Sequence, residues 1–150
     1  MILRKTFRFE ASHVLPHHPG KCSRLHGHSW VLHVFVEGKV NPKTGFVMDY
    51  GDISTDVKPL IDRLDHRHLG AFHFIEMDSP KDWGVPGMSS DNSIDKETYE
   101  NPTSENLLVW IAYQLDDMTW SWSKIALEET CTSYAELTFE EWHQIRKDRL

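Results

Sequence analysis

The sequence predicts an α+β fold with an antiparallel sheet. Two segments near the N-terminus and one near the C-terminus have the alternating or continuous apolar pattern of β-strands. Two segments between them repeat apolar residues at helical spacing. Strands at both ends with two helices between them are typical of domains in which the helices cover one face of the sheet.

The first third of the chain is predicted to form strands joined by a turn. Residues 3–11 alternate apolar and polar side chains, which predicts a half-buried strand. Residues 29–37 are apolar on both faces, so we expect this strand to be central or covered. Residues 38–45 have the composition of a turn, and residues 46–50 are predicted to return as a short third strand.

Two helices are predicted next, each with an identifiable N-cap. Asp52 is the expected cap of the first helix, and Pro59 predicts a kink or an irregular turn inside it. Thr103 is the expected cap of the second helix. The residues predicted to face the core are Ile53, Val57, Leu60, Ile61 and Leu64 in the first helix and Leu107, Leu108, Ile111, Ala112 and Leu115 in the second.

The remaining segments are a long loop, a late strand and a last helix. Residues 70–102 have no periodicity and contain several Pro and Gly residues, so a long loop is expected there. Residues 124–130 alternate again, which predicts a strand. Thr138 and Glu141 have capping-box spacing before a C-terminal helix. The predicted core residues of that helix are Phe139, Trp142 and Ile145.

Composition and charge disfavour several functions. With 150 residues, 39% of them hydrophobic, residues 1–150 can bury the core of a single domain. The formal net charge of −7 disfavours a nucleic-acid partner. No apolar run is long enough to span a membrane, and none precedes Arg4 and Lys5 as a secretion signal would. Two cysteines are too few for a disulfide framework, so we expect a reducing, cytoplasmic location.

Three histidines and a cysteine predict a catalytic metal site. His26 and His28 are two apart in an extended segment, so their side chains point to the same face. His13 needs only to lie on the neighbouring strand. Three neutral imidazoles leave a zinc ion one open position for water or substrate. Cys22 need not be a ligand, and a thiol beside such an ion suggests chemistry.

The same segment offers competing side chains. His17 and His18 are closer to His13 in sequence and are alternative ligands on spacing alone. Lys21 and Arg24 could attract an anionic substrate, although a solvated surface position explains either one equally well.

Glu129 is an acidic residue on an apolar strand face. It shares that face with Ile125 and Leu127, whereas a register slip would turn Glu128 inward instead. A buried carboxylate requires hydrogen-bond donors or a cation. A ligand with two adjacent N–H groups would satisfy it in bidentate fashion.

Asp65 and His66 follow the first predicted helix directly. A histidine at this position can simply interact with the helix dipole. Alternatively, the carboxylate orients the imidazole as an acid/base pair, which requires that the helix has already ended. Cys131 lies on the strand face of Glu129 and is expected to be a small buried hydrophobe.

Six ordered segments together resemble a known family. They are Phe-Glu-Ala-Ser-His, Cys-Ser-Arg-Leu-His-Gly-His, Gly-Phe-Val-Met-Asp-Tyr, Leu-Asp-His, Pro-Thr-Ser-Glu-Asn and Glu-Thr-Cys-Thr. The chain closely resembles the 6-pyruvoyl-tetrahydropterin synthase superfamily. Only three residues separate Cys22 from His26, and this short spacing is similar to that of the 6-carboxytetrahydropterin synthases of queuosine biosynthesis.

The resemblance implies a role for each matching residue. It implies zinc on His13, His26 and His28, a catalytic thiol at Cys22, an acid/base pair at Asp65 and His66, a pterin anchor at Glu129, and a pterin-lining segment at Thr103, Ser104 and Glu105. The implied fold is the tunnelling fold, ββααββ-like with two helices on one face and here a C-terminal helix. Family trimers close their sheets into a barrel and stack as hexamers, with active sites between subunits.

The implied reaction converts 7,8-dihydroneopterin triphosphate to 6-carboxy-5,6,7,8-tetrahydropterin, acetaldehyde and triphosphate. One alternative is 6-pyruvoyl-tetrahydropterin synthesis, which eliminates triphosphate without carbon–carbon cleavage. Another alternative, of a different class, is a non-catalytic, zinc-stabilised pterin-binding module. The loop before residue 101 is longer than is usual for the family, and the C-terminal helix follows where relatives often stop.

Overall fold

The computed structural model describes residues 1–15, 17–69 and 101–148. The elements in these ranges are β1 (Ile2–His13), β2 (His26–Glu37), α1 (Tyr50–Leu64), β3 (Arg67–Leu69), α2 (Ser104–Leu115), β4 (Lys124–Thr130), β5 (Ser133–Thr138) and α3 (Phe139–Asp148). The α+β class is confirmed. The loop predicted at 70–102 lies outside the described residues except for its last two positions, and the single domain stays a prediction.

One sheet with the strand order β3-β1-β2-β4-β5 organises these elements. β1 and β2 pair antiparallel along their whole length, from Ile2 opposite Glu37 to His13 opposite His26. β4 continues the antiparallel pairing on β2, and β5 on β4. β3 instead pairs parallel with the end of β1, so the sheet is mixed and the expected purely antiparallel sheet was wrong at one edge. The reason is that α1 returns the chain along the sheet, and β3 continues in the direction of β1 beside its last residues.

The segment before α1 differs from its prediction. Residues 46–50 do not form a strand, because the turn closes on itself through bonds from Asn41 N–H to the Phe46 carbonyl and from Gly45 N–H to the Asn41 carbonyl. The N-cap is Asp49 rather than Asp52, and its carboxylate accepts from Gly51 N–H at 2.6 Å. α1 therefore begins three residues before Ile53.

Pro59 does not interrupt α1. The residue is exposed, so water can reach the carbonyl that loses its helical partner. A continuous helix replaces the irregular turn that was one of the two predicted outcomes, and a kink at Pro59 stays a prediction.

The other caps follow the sequence. Thr103 caps α2 by accepting from Asn106 N–H, as predicted. Thr138 and Glu141 bond reciprocally as a capping box at the start of α3. β5 was missed by the apolar pattern because half of its side chains are exposed and only Leu137 is buried, although the ββααββ order implied by the resemblance contains it.

The core lies between one face of the sheet and the helices. It is a single cluster in the described residues, and it contains all ten helical residues predicted to face it. The two predicted helices therefore cover one face, as expected. Its largest fully buried side chains include Trp30, Trp110, Trp122 and Trp142. None of the helices in the described ranges has the length and hydropathy that crossing a membrane requires.

We expect Trp142 in α3 to be a major contributor to stability. Its ring is fully buried against Tyr113, and its indole N–H donates to Asp116 at 3.0 Å. Trp142→Ala should lower the free energy of unfolding by about 3–5 kcal/mol in urea denaturation. The exposed Gln144→Ala on the same helix should change it by less than about 0.5 kcal/mol. Equal effects of the two variants would mean that α3 is not part of the cooperative core.

Candidate metal centre and active site

Three imidazoles converge where β1 and β2 meet. His13 and His26 are directly paired across the two strands, and His28 follows on the same face of β2. One ligand atom from each lies within 4.8 Å of the others. The Nε2 atoms of His13 and His26 are 3.0 Å apart. The predicted grouping of these histidines is therefore present, and in the described residues it does not include His17 or His18.

The surroundings of the three rings suit a bound metal ion. Nδ1 of His13 lies 2.7 Å from the Pro102 carbonyl, and Nδ1 of His26 lies 2.7 Å from the Arg24 carbonyl. A carbonyl only accepts, so each Nδ1 carries a proton, and in its neutral form each ring directs an Nε2 lone pair at the others. Two such lone pairs at 3.0 Å repel unless a cation or a proton lies between them.

His28 adds independent support for a cation. Its Nε2 atom is buried and makes no hydrogen bond within the described part of the chain. Burial lowers the pKa of His28, opposed by Glu129 and assisted by the other two histidines, so the neutral ligand form is favoured. Three imidazole nitrogens with no thiolate are a donor set that zinc accepts, and they leave a fourth position open. The residues present therefore fit a metal ion of this kind.

Glu129 faces the three histidines. Its Oε1 atom lies 3.3 Å from Nε2 of His13 and 3.4 Å from Nε2 of His28. Glu129, not Glu128, therefore lies on the sheet face that carries the three histidines, which resolves the alternative left open by the sequence. The contact with His13, opposed by burial, lowers the pKa of Glu129.

Cys22 lies in the connection between β1 and β2. It is half-buried in a short 3-10 turn, Lys21–Ser23, and its carbonyl accepts from Leu15 N–H at 2.9 Å. Among the described residues, the group of possible metal ligands consists of the three histidines and does not include Cys22. The role of Cys22 as a catalytic thiol beside the metal stays a prediction. Cys131 is exposed at the β4–β5 turn, so its predicted burial was wrong.

Asp65 and His66 interact because α1 has ended before them. Asp65 is the C-cap, and His66 has a left-handed backbone with φ of 57°. This conformation costs a non-glycine residue of the order of 1–3 kcal/mol, and here a bond from His66 N–H to the Glu10 carbonyl holds it. The Asp65 carboxylate contacts Nδ1 of His66 at 2.9 Å and accepts from Glu10 N–H at 2.8 Å. The second bond is the main reason that the pKa of Asp65 is lowered.

A cavity of about 530 Å³ lies beside His66. Its lining includes both His28 and His66, together with His68, which the sequence analysis did not single out. His68 is half-buried, and its Nδ1 atom lies 3.1 Å from the Ser12 hydroxyl. The spacing of His66 and His68, the same as that of His26 and His28, was the available signal. Cys22 and Glu129 lie outside this lining.

The segment before α2 is attached to the metal site through its backbone. The Pro102 carbonyl that accepts from His13 immediately precedes Thr103, Ser104 and Glu105. The Thr103 hydroxyl caps the helix, and the Ser104 hydroxyl lies 3.4 Å from the Glu105 carboxylate. Sequence reasoning missed Pro102 because a backbone carbonyl carries no side-chain signal.

The sequence and the fold are similar to those of known pterin enzymes. The family profile described as 6-pyruvoyl tetrahydropterin synthase matches residues 2–140. A 6-carboxy-5,6,7,8-tetrahydropterin synthase of Synechocystis sp. is 34% identical over 140 residues, covering 89% of this chain and 90% of that one. A protein of the same name from Haemophilus influenzae is 33% identical over 142 residues, covering 89% and 96%. The structure of Caenorhabditis elegans 6-pyruvoyl tetrahydropterin synthase matches with a TM-score of 0.69 at 22% identity, covering 92% of this chain and 94% of that one.

The chain therefore belongs to the 6-pyruvoyl tetrahydropterin synthase family. The structural match confirms the tunnelling fold, here with β3 inserted between the two helices. The profile ends at residue 140, so α3 lies almost wholly beyond the matched residues.

Removal of one imidazole should abolish metal retention. The hydrogen-bond partners of metal ligands contribute about 10–100-fold to affinity, so loss of a ligand in His28→Ala should lower zinc affinity by at least about 100-fold. Zinc per chain after dialysis, measured by inductively coupled plasma mass spectrometry, checks this. The exposed His17→Ala is the matched control and should retain a full equivalent. Full retention in His28→Ala would contradict the ligand set.

The lowered pKa of Asp65 predicts a pH-dependent stability. Its folded-state pKa lies below the ordinary value of 3.8, so the carboxylate stabilises the fold above that pH and loses this effect as the pH falls through the folded-state value. The difference in free energy of unfolding between wild type and Asp65→Asn should be constant above about pH 5 and shrink below it. Urea denaturation between pH 7 and acid conditions measures it, with the exposed Asp62→Asn as control. A difference independent of pH would count against the stabilising bond from Glu10 N–H to the Asp65 carboxylate.

Proposed function

We propose that this protein is a zinc-dependent lyase of queuosine or another deazapurine pathway. Its proposed reaction converts 7,8-dihydroneopterin triphosphate and water to 6-carboxy-5,6,7,8-tetrahydropterin, acetaldehyde and triphosphate. Support comes from the family membership, from relatives of this name at 33% and 34% identity, and from the short spacing of Cys22 and His26.

One observation carries the proposal. The three imidazole nitrogens lie within 4.8 Å of one another, and the Glu129 carboxylate lies 3.3–3.4 Å from two of them. A pterin ring presents an amino group and an adjacent ring N–H as paired donors. Glu129 can accept both, which would direct the pterin side chain toward the metal-binding nitrogens.

The chain supplies the groups that bind and move protons. His13, His26 and His28 would hold the zinc, which when bound supplies a Lewis acid for the side-chain hydroxyl oxygens of the substrate. Cys22, as a thiolate, would remove a carbon-bound proton of the substrate side chain. His66, held by Asp65, returns protons at the atoms where triphosphate leaves and the carbon–carbon bond breaks.

The remaining roles follow the same proposal. Thr103, Ser104 and Glu105 line the pterin pocket next to the Pro102 carbonyl that holds His13. The protein is a cytoplasmic homo-oligomer built from trimers, with a hexamer as the expected form. Within the described residues Cys22 does not line the cavity of His66, and side chains from neighbouring subunits would then complete each site.

The product decides between this reaction and its sister. Zinc-loaded protein incubated with 7,8-dihydroneopterin triphosphate should release carboxytetrahydropterin and equimolar acetaldehyde, detected by mass spectrometry. A pyruvoyl product without acetaldehyde would assign the 6-pyruvoyl-tetrahydropterin reaction instead. Absence of turnover of any dihydropterin would favour a zinc-stabilised binding module.

Replacement of the proposed thiol should separate chemistry from metal binding. Cys22→Ala should lower turnover about 10²–10⁴-fold, as expected for loss of a general acid–base group. Its zinc content should equal that of the wild type. The exposed Cys131→Ala is the matched control for loss of a thiol and should keep full turnover. Loss of zinc in Cys22→Ala would make Cys22 a ligand and overturn its assigned role.

A further inference from the structure

Glu129 occupies an irregular position in the sheet. The pairing of β2 with β4 ends at Val31 opposite Glu128, one residue before Glu129. On the other side, the pairing of β4 with β5 shifts register between Glu128 and Thr130. Glu129 is therefore a bulge residue without a ladder partner on either neighbouring strand. Bulges redirect a side chain, and the ladder bonds do not fix where this one points.

On the sheet face opposite the histidine cluster, a series of hydrogen-bonded side chains ends beside the bulge. Nε2 of His33 contacts the Glu128 carboxylate at 2.8 Å, and Nδ1 of His33 lies 2.9 Å from the Thr6 hydroxyl. A neutral ring with its proton on Nε2 satisfies both contacts, because it donates to the carboxylate and accepts from the hydroxyl. The His33 side chain is only 14% exposed, so this contact is shielded from water on the ring side.

This hydrogen-bonded series of side chains connects three strands, and it ends at the residue before Glu129. Thr6 lies on β1, His33 on β2 and Glu128 on β4. Glu128 contacts His33 on one face and Glu129 contacts His13 on the other, so holding the Glu128 side chain restrains the backbone of the bulge from which Glu129 points. We infer that His33, held by Thr6, is a positioning residue that acts through Glu128 to aim Glu129 at the histidine cluster. The role in pterin binding rests on the proposed function, whereas the aim of Glu129 does not.

The same strand offers a matched control. Lys124 and Glu136 form an ion pair at 3.1 Å between β4 and β5, at the end of β4 away from the bulge. This pair also joins neighbouring strands through a charged contact. Its removal should perturb the sheet to a comparable extent without altering the aim of Glu129.

The test compares binding of 7,8-dihydroneopterin by zinc-loaded variants. His33→Ala should raise its dissociation constant about tenfold, which is the size expected for loss of a hydrogen bond to a charged group. His33→Gln, whose amide can still donate to Glu128, should restore binding to within about threefold of the wild type. Lys124→Ala should bind as the wild type does, and zinc content should be equal in all variants. Should His33→Ala fail to fold, Thr6→Val tests the same chain and should weaken binding in the same direction.

A double variant separates positioning from general loosening of the sheet. In a Glu129→Gln background, His33→Ala should add less than about twofold, because its effect passes through the Glu129 carboxylate. Equal effects in both backgrounds, or no effect in either, would overturn the inference. If the wild type binds no dihydropterin, the proposed function fails and crystal structures decide the positioning role. Displacement of the Glu129 carboxylate from His13 in His33→Ala would support the role, and an unchanged contact would overturn it.

Discussion

The close approach of three imidazole nitrogens is the constraint on which the site depends. The β1–β2 register places His13 opposite His26, and backbone carbonyls at Arg24 and Pro102 fix which nitrogen of each ring faces inward. Neutral rings held in this way direct lone pairs at one another, which is unfavourable without a cation. The strand pairing and the two carbonyls therefore bring together three nitrogen atoms that could hold a metal ion.

The rest of the fold extends this arrangement into a pocket. Trp30 lies beneath the cluster, with its ring 5.3 Å from that of His13 and 5.4 Å from that of His28, which gives the site an apolar floor. α2 begins just after Pro102, whose carbonyl accepts from His13. The start of this helix is therefore hydrogen-bonded to the histidine cluster. Glu129 brings a carboxylate from the neighbouring strand to the same point.

The sequence predicted the elements and histidines whose signals are local. The strands at 3–11 and 124–130, the cap at Thr103 and the capping box at Thr138 follow from patterns within a few residues. β3 and the bulge at Glu129 depend on pairing between distant segments, which alternation in one segment cannot specify. The turn before Asp49 was mistaken for a strand because its backbone bonds decide the conformation rather than its apolar residues. The family resemblance, not periodicity, supplied the roles of Cys22, Asp65 and His66.

X-ray absorption spectroscopy of the zinc-loaded protein tests the central claim most directly. The account predicts a four-coordinate ion with three imidazole nitrogens and one oxygen at about 2.0–2.1 Å and no sulfur ligand. Such a spectrum would establish an open, histidine-only site beside a free thiol. A sulfur shell at about 2.3 Å would place Cys22 or Cys131 on the metal and contradict the account.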